Sequence, residues 1–206
     1  MSLLDSLLVL DAPKLDVWIA VRTDGVKGSG TESDPYNGSP RQESAISITN
    51  LTNSGREATA TTATDHSYLN GDVVMIAGVT GAGAAQFNGR FSIYGKTNNT
   101  FKYAMSVVPG GSASGTIACA RVLFQFDELM YPGFPEYTAI HLGPGVFETR
   151  GFSQATGGWS PKSGQKIIGS GIDVTTLKIV HGKGAESGGS AILRHRNLHR
   201  LQHCGF

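Results

Sequence analysis

The sequence predicts an all-β protein: a small β-sandwich or barrel module set into a second unit of short strands with glycine corners. Three observations carry this. The 206 residues include 28 glycines and only 16% charged residues, below the usual quarter, with many Thr, Ser and Asn, a composition that fits turns and strands better than a charged helical bundle. Residues 44–121 hold five or six short strand-like runs at regular spacing, separated by turn dipeptides. After them come short apolar runs bent at Gly or Pro.

Taken in chain order, residues 1–22 read as an N-terminal arm. Leu3, Leu4, Leu7, Leu8 and Leu10 cluster on one side of a helix over 2–10, and residues 15–22, LDVWIAVR, predict a strand. The arm lacks a basic leader region, Asp5 interrupts it, and Asp11 and Pro13 end it, so it is expected to be mature sequence and not a signal peptide. It is too small to bury its own apolar side, so it packs on the body or docks on a partner.

Residues 23–43 predict a lead-in loop, with turn signals at Asp24-Gly25, Asp34-Pro35 and Asn37-Gly38. Its acidic residues do not keep the ligand register of a helix–loop–helix calcium site.

Within 44–121, AISITNL and REATATTAT predict strands, the second because alternating β-branched threonines favour extended backbone. Asn70-Gly71-Asp72 predicts a tight turn before a strand carrying Val74 and Ile76 on one face, and Asn88-Gly89 a second hairpin. NNTFKYAMSVV and GTIACARVLF complete the set. Residues 122–206 then predict a short helix (FQFDELM), short strands in TAIHLGPGVFETRG, QKIIGSG, TTLKIVHG and SAILRHR, and a basic tail.

The run HSYLNGDVVMIAGVT…FNGRFSIYGKTNNTFKYAM…GGSASGTIACA resembles a small β module that recurs in bacteriophage structural and tail-associated proteins and in some bacterial surface proteins. His66, Gly71, Asp72, Val74, Ile76, Gly78, Phe87, Asn88, Gly89, Phe91, Thr100, Phe101, Tyr103 and Gly115 carry the likeness, while Ser67 stands where that module usually has glycine. The module brings no catalytic residues with it. The flanks, DGVKGSGTESDPYNGS on one side and 124–180 on the other, resemble the opening of a right-handed parallel β-helix of the pectin-lyase-like type, interrupted by the module. The resemblance implies a cap helix whose Phe124, Phe126, Leu129 and Met130 cover the first coil, because parallel rungs otherwise leave an open apolar end. Such proteins usually run many coils and this chain holds two or three, which leaves either a shortened stack or a tail that replaces later coils.

Few residues stand out as chemical. His195, His199 and His203 share the spacing of one helix face beside Cys204 and can bind a transition metal, but a basic, solvated tail with Arg194, Arg196 and Arg200 is the preferred reading, and no cofactor is expected. Asp127 and Glu128 point in different directions on the cap helix and read as helix-terminal or solubility charge. Glu148, Arg150, Asp173 and Lys178 fall on or near the rungs without forming an acidic ligand cluster. Trp18, Tyr36, Tyr68, Phe134, Tyr137, Phe152 and Trp159 are candidates for stacking on sugars, with Phe152 and Trp159 in the loop GFSQATGGW foremost; core or inter-subunit packing is the competing explanation. Cys119 and Cys204 read as simple thiols, with a disulfide left open.

The formal net charge of +1 gives no field that would gather nucleic acid, and no stretch has the length of a membrane span, so neither nucleic acid nor membrane insertion is expected. The resemblances imply a structural, non-enzymatic virion component of tail-fibre or spike type. It would be joined to other virion or surface proteins by its arm, homo-oligomeric (a trimer, as β-helical fibres commonly are), and in contact with polysaccharide. The alternatives are a piece of a secreted polysaccharide lyase or hydrolase, and a bacterial surface adhesion module.

Overall fold

A computed structural model describes residues 15–153, 157–158 and 161–180. The chain divides into two compact units, one of residues Arg41–Leu123 and the other of the segments that flank it. Strands β1 (Leu15–Ala20) and β2 (Tyr36–Asn37) belong to the flanking unit, and β3 (Pro40–Gln42) leads into the first.

The first unit is a closed six-stranded antiparallel barrel. Its strands are β4 (Ile46–Ser54), β5 (Glu57–Thr62), β6 (Val73–Ala77), β7 (Gly89–Tyr94), β8 (Thr100–Ala104) and β9 (Ala118–Phe124). Around the ring the order is β9, β4, β5, β8, β7, β6, and pairing of β6 with β9, from Val74 opposite Arg121 to Ala77 opposite Ala118, closes it. Closure removes the free edges a sheet of this size would otherwise present. The period-two pattern shows clearly in β5, where Ala58, Ala60 and Thr62 are buried and Glu57, Thr59 and Thr61 face outward. Leu51, Ile76, Ile93, Phe101, Tyr103 and Cys119 fill the interior. Burial pushes the Cys119 thiol and the Tyr103 hydroxyl above their ordinary pKa ranges.

Two glycines named in the module resemblance have a steric reason. Gly78 has φ +87 and a β-carbon there would lie 1.9 Å from the Thr116 carbonyl oxygen; one on Gly115, φ +108, would lie 2.4 Å from the Gly78 oxygen. At the other end of β9, Glu43 N–H donates to the Arg121 carbonyl at 2.9 Å, and the Arg121 guanidinium holds both Glu43 carboxylate oxygens, at 2.6 and 2.9 Å. The expected turn precedes β6: Gly71 has φ +88 and Asp72 Oδ2 accepts from Leu69 N–H at 2.9 Å. The expected Asn88-Gly89 hairpin is not formed. Residues Ala84–Phe87 make a one-turn helix, α1, and β7 starts at once after Asn88. Asn88 accepts from Val79 N–H at 3.1 Å and donates to Val79 O at 2.9 Å, so it ties down the β6–β7 connection by its side chain instead of turning the chain.

The flanking unit is built on parallel pairing. After helix α2 (Gln125–Met130) come β10 (Thr138–Leu142), β11 (Gly145–Thr149), β12 (Phe152–Ser153), β13 (Gly157–Gly158), β14 (Lys166–Gly169) and β15 (Thr175–Ile179). One sheet has the order β14, β10, β1, β2, all parallel, with Val17, Ile140 and Ile167 side by side; β11 pairs parallel with β15, and β12 with β13 antiparallel. Strand β1 is thus an interior strand of the body; residues 1–14, where the helix was expected, lie outside the described residues. The lead-in contributes β2, and Arg22 bridges Asp24 and Asp34 at 2.6 and 2.7 Å across it. Val17, Ile19, Ile140, Leu142 and Phe147 make the core, with Phe126 and Met130 of α2 laid against them. The chain passes close over this core at Gly38, where a β-carbon would come 2.8 Å from the Phe147 ring.

Asp127 does stand in the first turn of α2, as one reading expected, but the reading of it as a solubility charge is corrected. Its side of α2 faces inward, and it is 1% exposed. Asp127 Oδ1 accepts a hydrogen bond from the Thr149 hydroxyl, and Oδ2 accepts from Arg150 N–H at 2.7 Å. Thr149 Oγ1 in turn accepts from Gly151 N–H at 2.9 Å. The carboxylate therefore fastens the short helix to the end of β11.

Candidate functional site

Alternation along β1 and β10 sends Val17, Ile19, Ile140 and Leu142 into the core, so Asp16, Trp18, Ala139 and His141 stand on the opposite face of the sheet. Trp18 and His141 are register partners, and their rings stack with centroids 4.7 Å apart and planes 12° from parallel. His141 Nε2–H donates to Asp16 Oδ1 at 2.8 Å; because a carboxylate only accepts, this bond fixes the hydrogen on Nε2. The next strand continues both rows: Ile168 lies beside His141, and Lys166 beside Ala139. Ala139, only 1% exposed, is the small residue between the taller Asp16 and Lys166. The face thus offers an aromatic stack, an acceptor and a cationic donor within a few residues. It can hold a hydroxylated ligand by stacking and hydrogen bonds.

The other sequence candidates divide. Tyr68 is 2% exposed inside the barrel, packed against His66 at 4.7 Å, and is unavailable for stacking on a ligand. His66 is held on both nitrogens, Nδ1 accepting from Tyr68 N–H and Nε2 donating to Thr100 O, each at 3.3 Å. Tyr36 and Phe134 stack on each other at 6.2 Å against the core of the flanking unit. Tyr137 is half-buried. Glu148 and Lys178 are register partners on β11 and β15, whereas Arg150 is buried, 6% exposed, with its guanidinium 6.0 Å from the Phe124 ring. Phe152 falls on β12; Trp159 and His195, His199 and His203 lie outside the described residues. Among the described residues no group of three His, Cys, Asp or Glu is placed to hold a metal ion. Sequence reasoning picked out Trp18 but missed Asp16 and His141; His141 is the imidazole in TAIHL, and only the β1–β10 register, 125 positions apart in sequence for the Asp16–His141 bond, brings them together.

No family model and no curated protein matches the chain. Among solved structures, the phage phi92 endosialidase matches with 16% identity and a TM-score of 0.28, over 44% of this chain and 13% of that one. A likeness at that TM-score defines no common fold.

Proposed function

We propose that the chain is a structural, non-catalytic component of a phage or phage-like virion, a tail-fibre, spike or appendage part with an attachment or spacer role and a glycan-contacting face. The observation that carries this reading is the parallel stacking of β1, β10 and β14, with β11 and β15 paired beside them and α2 over their core. In this reading these strands are the opening coils of a short right-handed parallel β-helix capped by α2. Stacked parallel strands and a closed barrel both tie up main-chain hydrogen bonds, which suits a stiff, protease-resistant spacer. The chain then assembles as a homo-oligomer, a trimer, and joins neighbouring virion proteins through the part of its N-terminal arm that precedes β1.

Two measurements test the reading together: light scattering with limited trypsin digestion of the purified chain, and peptide mass spectrometry of purified particles. A trimer mass, survival of a core spanning both units, and peptides of this chain in the particles are expected. A monomer cut within its strands, or particles without the chain, refutes it.

A further inference from the structure

Burial falls off along the parallel stack. Val17, Ile19 and Ile140 are buried, and Phe147 and Thr149 are fully so. The register partners of Ile140, Phe147 and Thr149 on the last described strands are Ile167, Leu177 and Ile179, which stand on the same side of the sheets. Yet Ile167 and Leu177 are only half-buried, and Ile179 is 43% exposed. At the other side of this core α2 supplies cover with Phe126 and Met130. Among the described residues no strand lies beyond β14 or β15. The stack therefore ends in apolar side chains and in strand edges of the kind that take up another strand.

Spacing points to the occupant. Ile140 and Ile167 are 27 positions apart, and Phe147 and Leu177 are 30. The chain leaves the stack from β15, at this same end, and 26 residues follow Val180, all outside the described residues. They hold one run of three apolar residues, Ala191, Ile192 and Leu193 in SAILRHR, and Leu193 comes 26 positions after Ile167. We propose that residues 190–196 are the next parallel strand on β14, with Leu193 beside Ile167. The inference rests on the parallel-coil part of the function proposed above and names what closes its open end. A segment tethered to β15 meets β14 at a high effective concentration, which favours it over a second copy. Alternation along that strand sets Arg194 and Arg196 on the face away from the core. Cations on a last strand discourage further pairing, which gives the basic run a use.

The test uses the full chain in a Cys204→Ser background. Leu193→Asp sets a charge against the core and should lower the melting midpoint followed by tryptophan fluorescence by about 4 °C or more. Ile192→Asp, on the other face of the same strand, should shift it by no more than about 1 °C. Ile168→Cys combined with Arg194→Cys makes register neighbours at a spacing a disulfide spans. Mild oxidation should join them within one chain, as read by peptide mass mapping. An unchanged midpoint in Leu193→Asp, a larger loss in Ile192→Asp than in Leu193→Asp, or a link formed only between chains or not at all overturns the proposal. A link only between chains would put a second copy on β14 instead. A chain that is trimeric and present in particles but fails these tests loses the end strand alone.

Discussion

Replacing Asp127 by Asn tests how the helix cap is held. The substitution keeps the shape but exchanges one carboxylate oxygen for an amide N–H, which then faces either the Thr149 hydroxyl or Arg150 N–H, both donors in the native arrangement. One charge-assisted hydrogen bond is lost, and with the amide N–H turned to Thr149 Oγ1 the buried Thr149 hydroxyl hydrogen loses its acceptor, a loss of about 2–3 kcal/mol. Asp127→Ala removes both acceptors and should lose about 3–4 kcal/mol. For a chain of this length each kcal/mol lowers the melting temperature by about 2–4 °C, so Asp127→Asn should melt about 4–12 °C lower. The chain supplies its own control. Both tryptophans, Trp18 and Trp159, lie outside residues 41–123, whereas Cys119 is buried inside the barrel. In a Cys204→Ser background, tryptophan fluorescence reports melting of the flanking unit and thiol exposure reports melting of the barrel. The fluorescence transition should drop while the thiol transition stays. A fluorescence midpoint within 1 °C of the parent would refute the latch (about the resolution of a thermal scan against the shift expected above), and so would equal shifts of both probes.

Three further outcomes follow from the same geometry. Gly78→Ala should destabilise the barrel by about 2 kcal/mol or more, since it combines a positive φ with a β-carbon 1.9 Å from Thr116 O; thiol exposure in urea checks it, and an unchanged midpoint contradicts the close approach. The Arg22 guanidinium holds the Asp24 and Asp34 carboxyls below the usual range, first through hydrogen bonds. A carboxyl depressed in the folded state adds stability above its unfolded pKa, about 3.9, that is lost as pH falls through the folded value; Arg22→Gln should therefore lose stability at pH 6 but little at pH 2 in urea titrations, and a parallel offset at both pH values contradicts it. Cys119, in the Cys204→Ser background, should not react with a thiol reagent at pH 8 until denaturant is added, because burial both shields the thiol and raises its pKa; prompt reaction of the native chain contradicts the barrel core.

Local signals were readable where a short stretch decides its own conformation. The Ala/Thr alternation of residues 57–62, the turn at 70–72 and the apolar side of the helix with Phe126, Leu129 and Met130 each appear where expected, whereas Phe124, expected with them, ends β9. Asn88-Gly89 misled because the dipeptide favours a turn only if the chain must reverse there, and here Phe87 ends a helical turn and Asn88 bonds back to Val79. Asp127 misled for a different reason: its neighbour Glu128 is exposed as expected, but the burial of Asp127 depends on Thr149 and Arg150, more than twenty residues on. Barrel closure through β6 and β9 and the Asp16–Trp18–His141 group belong to long-range register, which composition and spacing do not encode. The glycines at 78 and 115 were visible as a pattern, but the carbonyls that exclude a side chain there were not.

The Glu43–Arg121 clasp has a consequence for how such a chain can change. Because the strand that enters the barrel and the strand that leaves it are fastened side by side, the whole of 41–123 hangs from two neighbouring threads about 5 Å apart. A cassette anchored in this way can be cut out and the break sewn with a few residues, or exchanged for another of different surface, without stretching the polypeptide on either side. Recombination acting at these two points would alter what the protein displays while leaving its other unit unrevised.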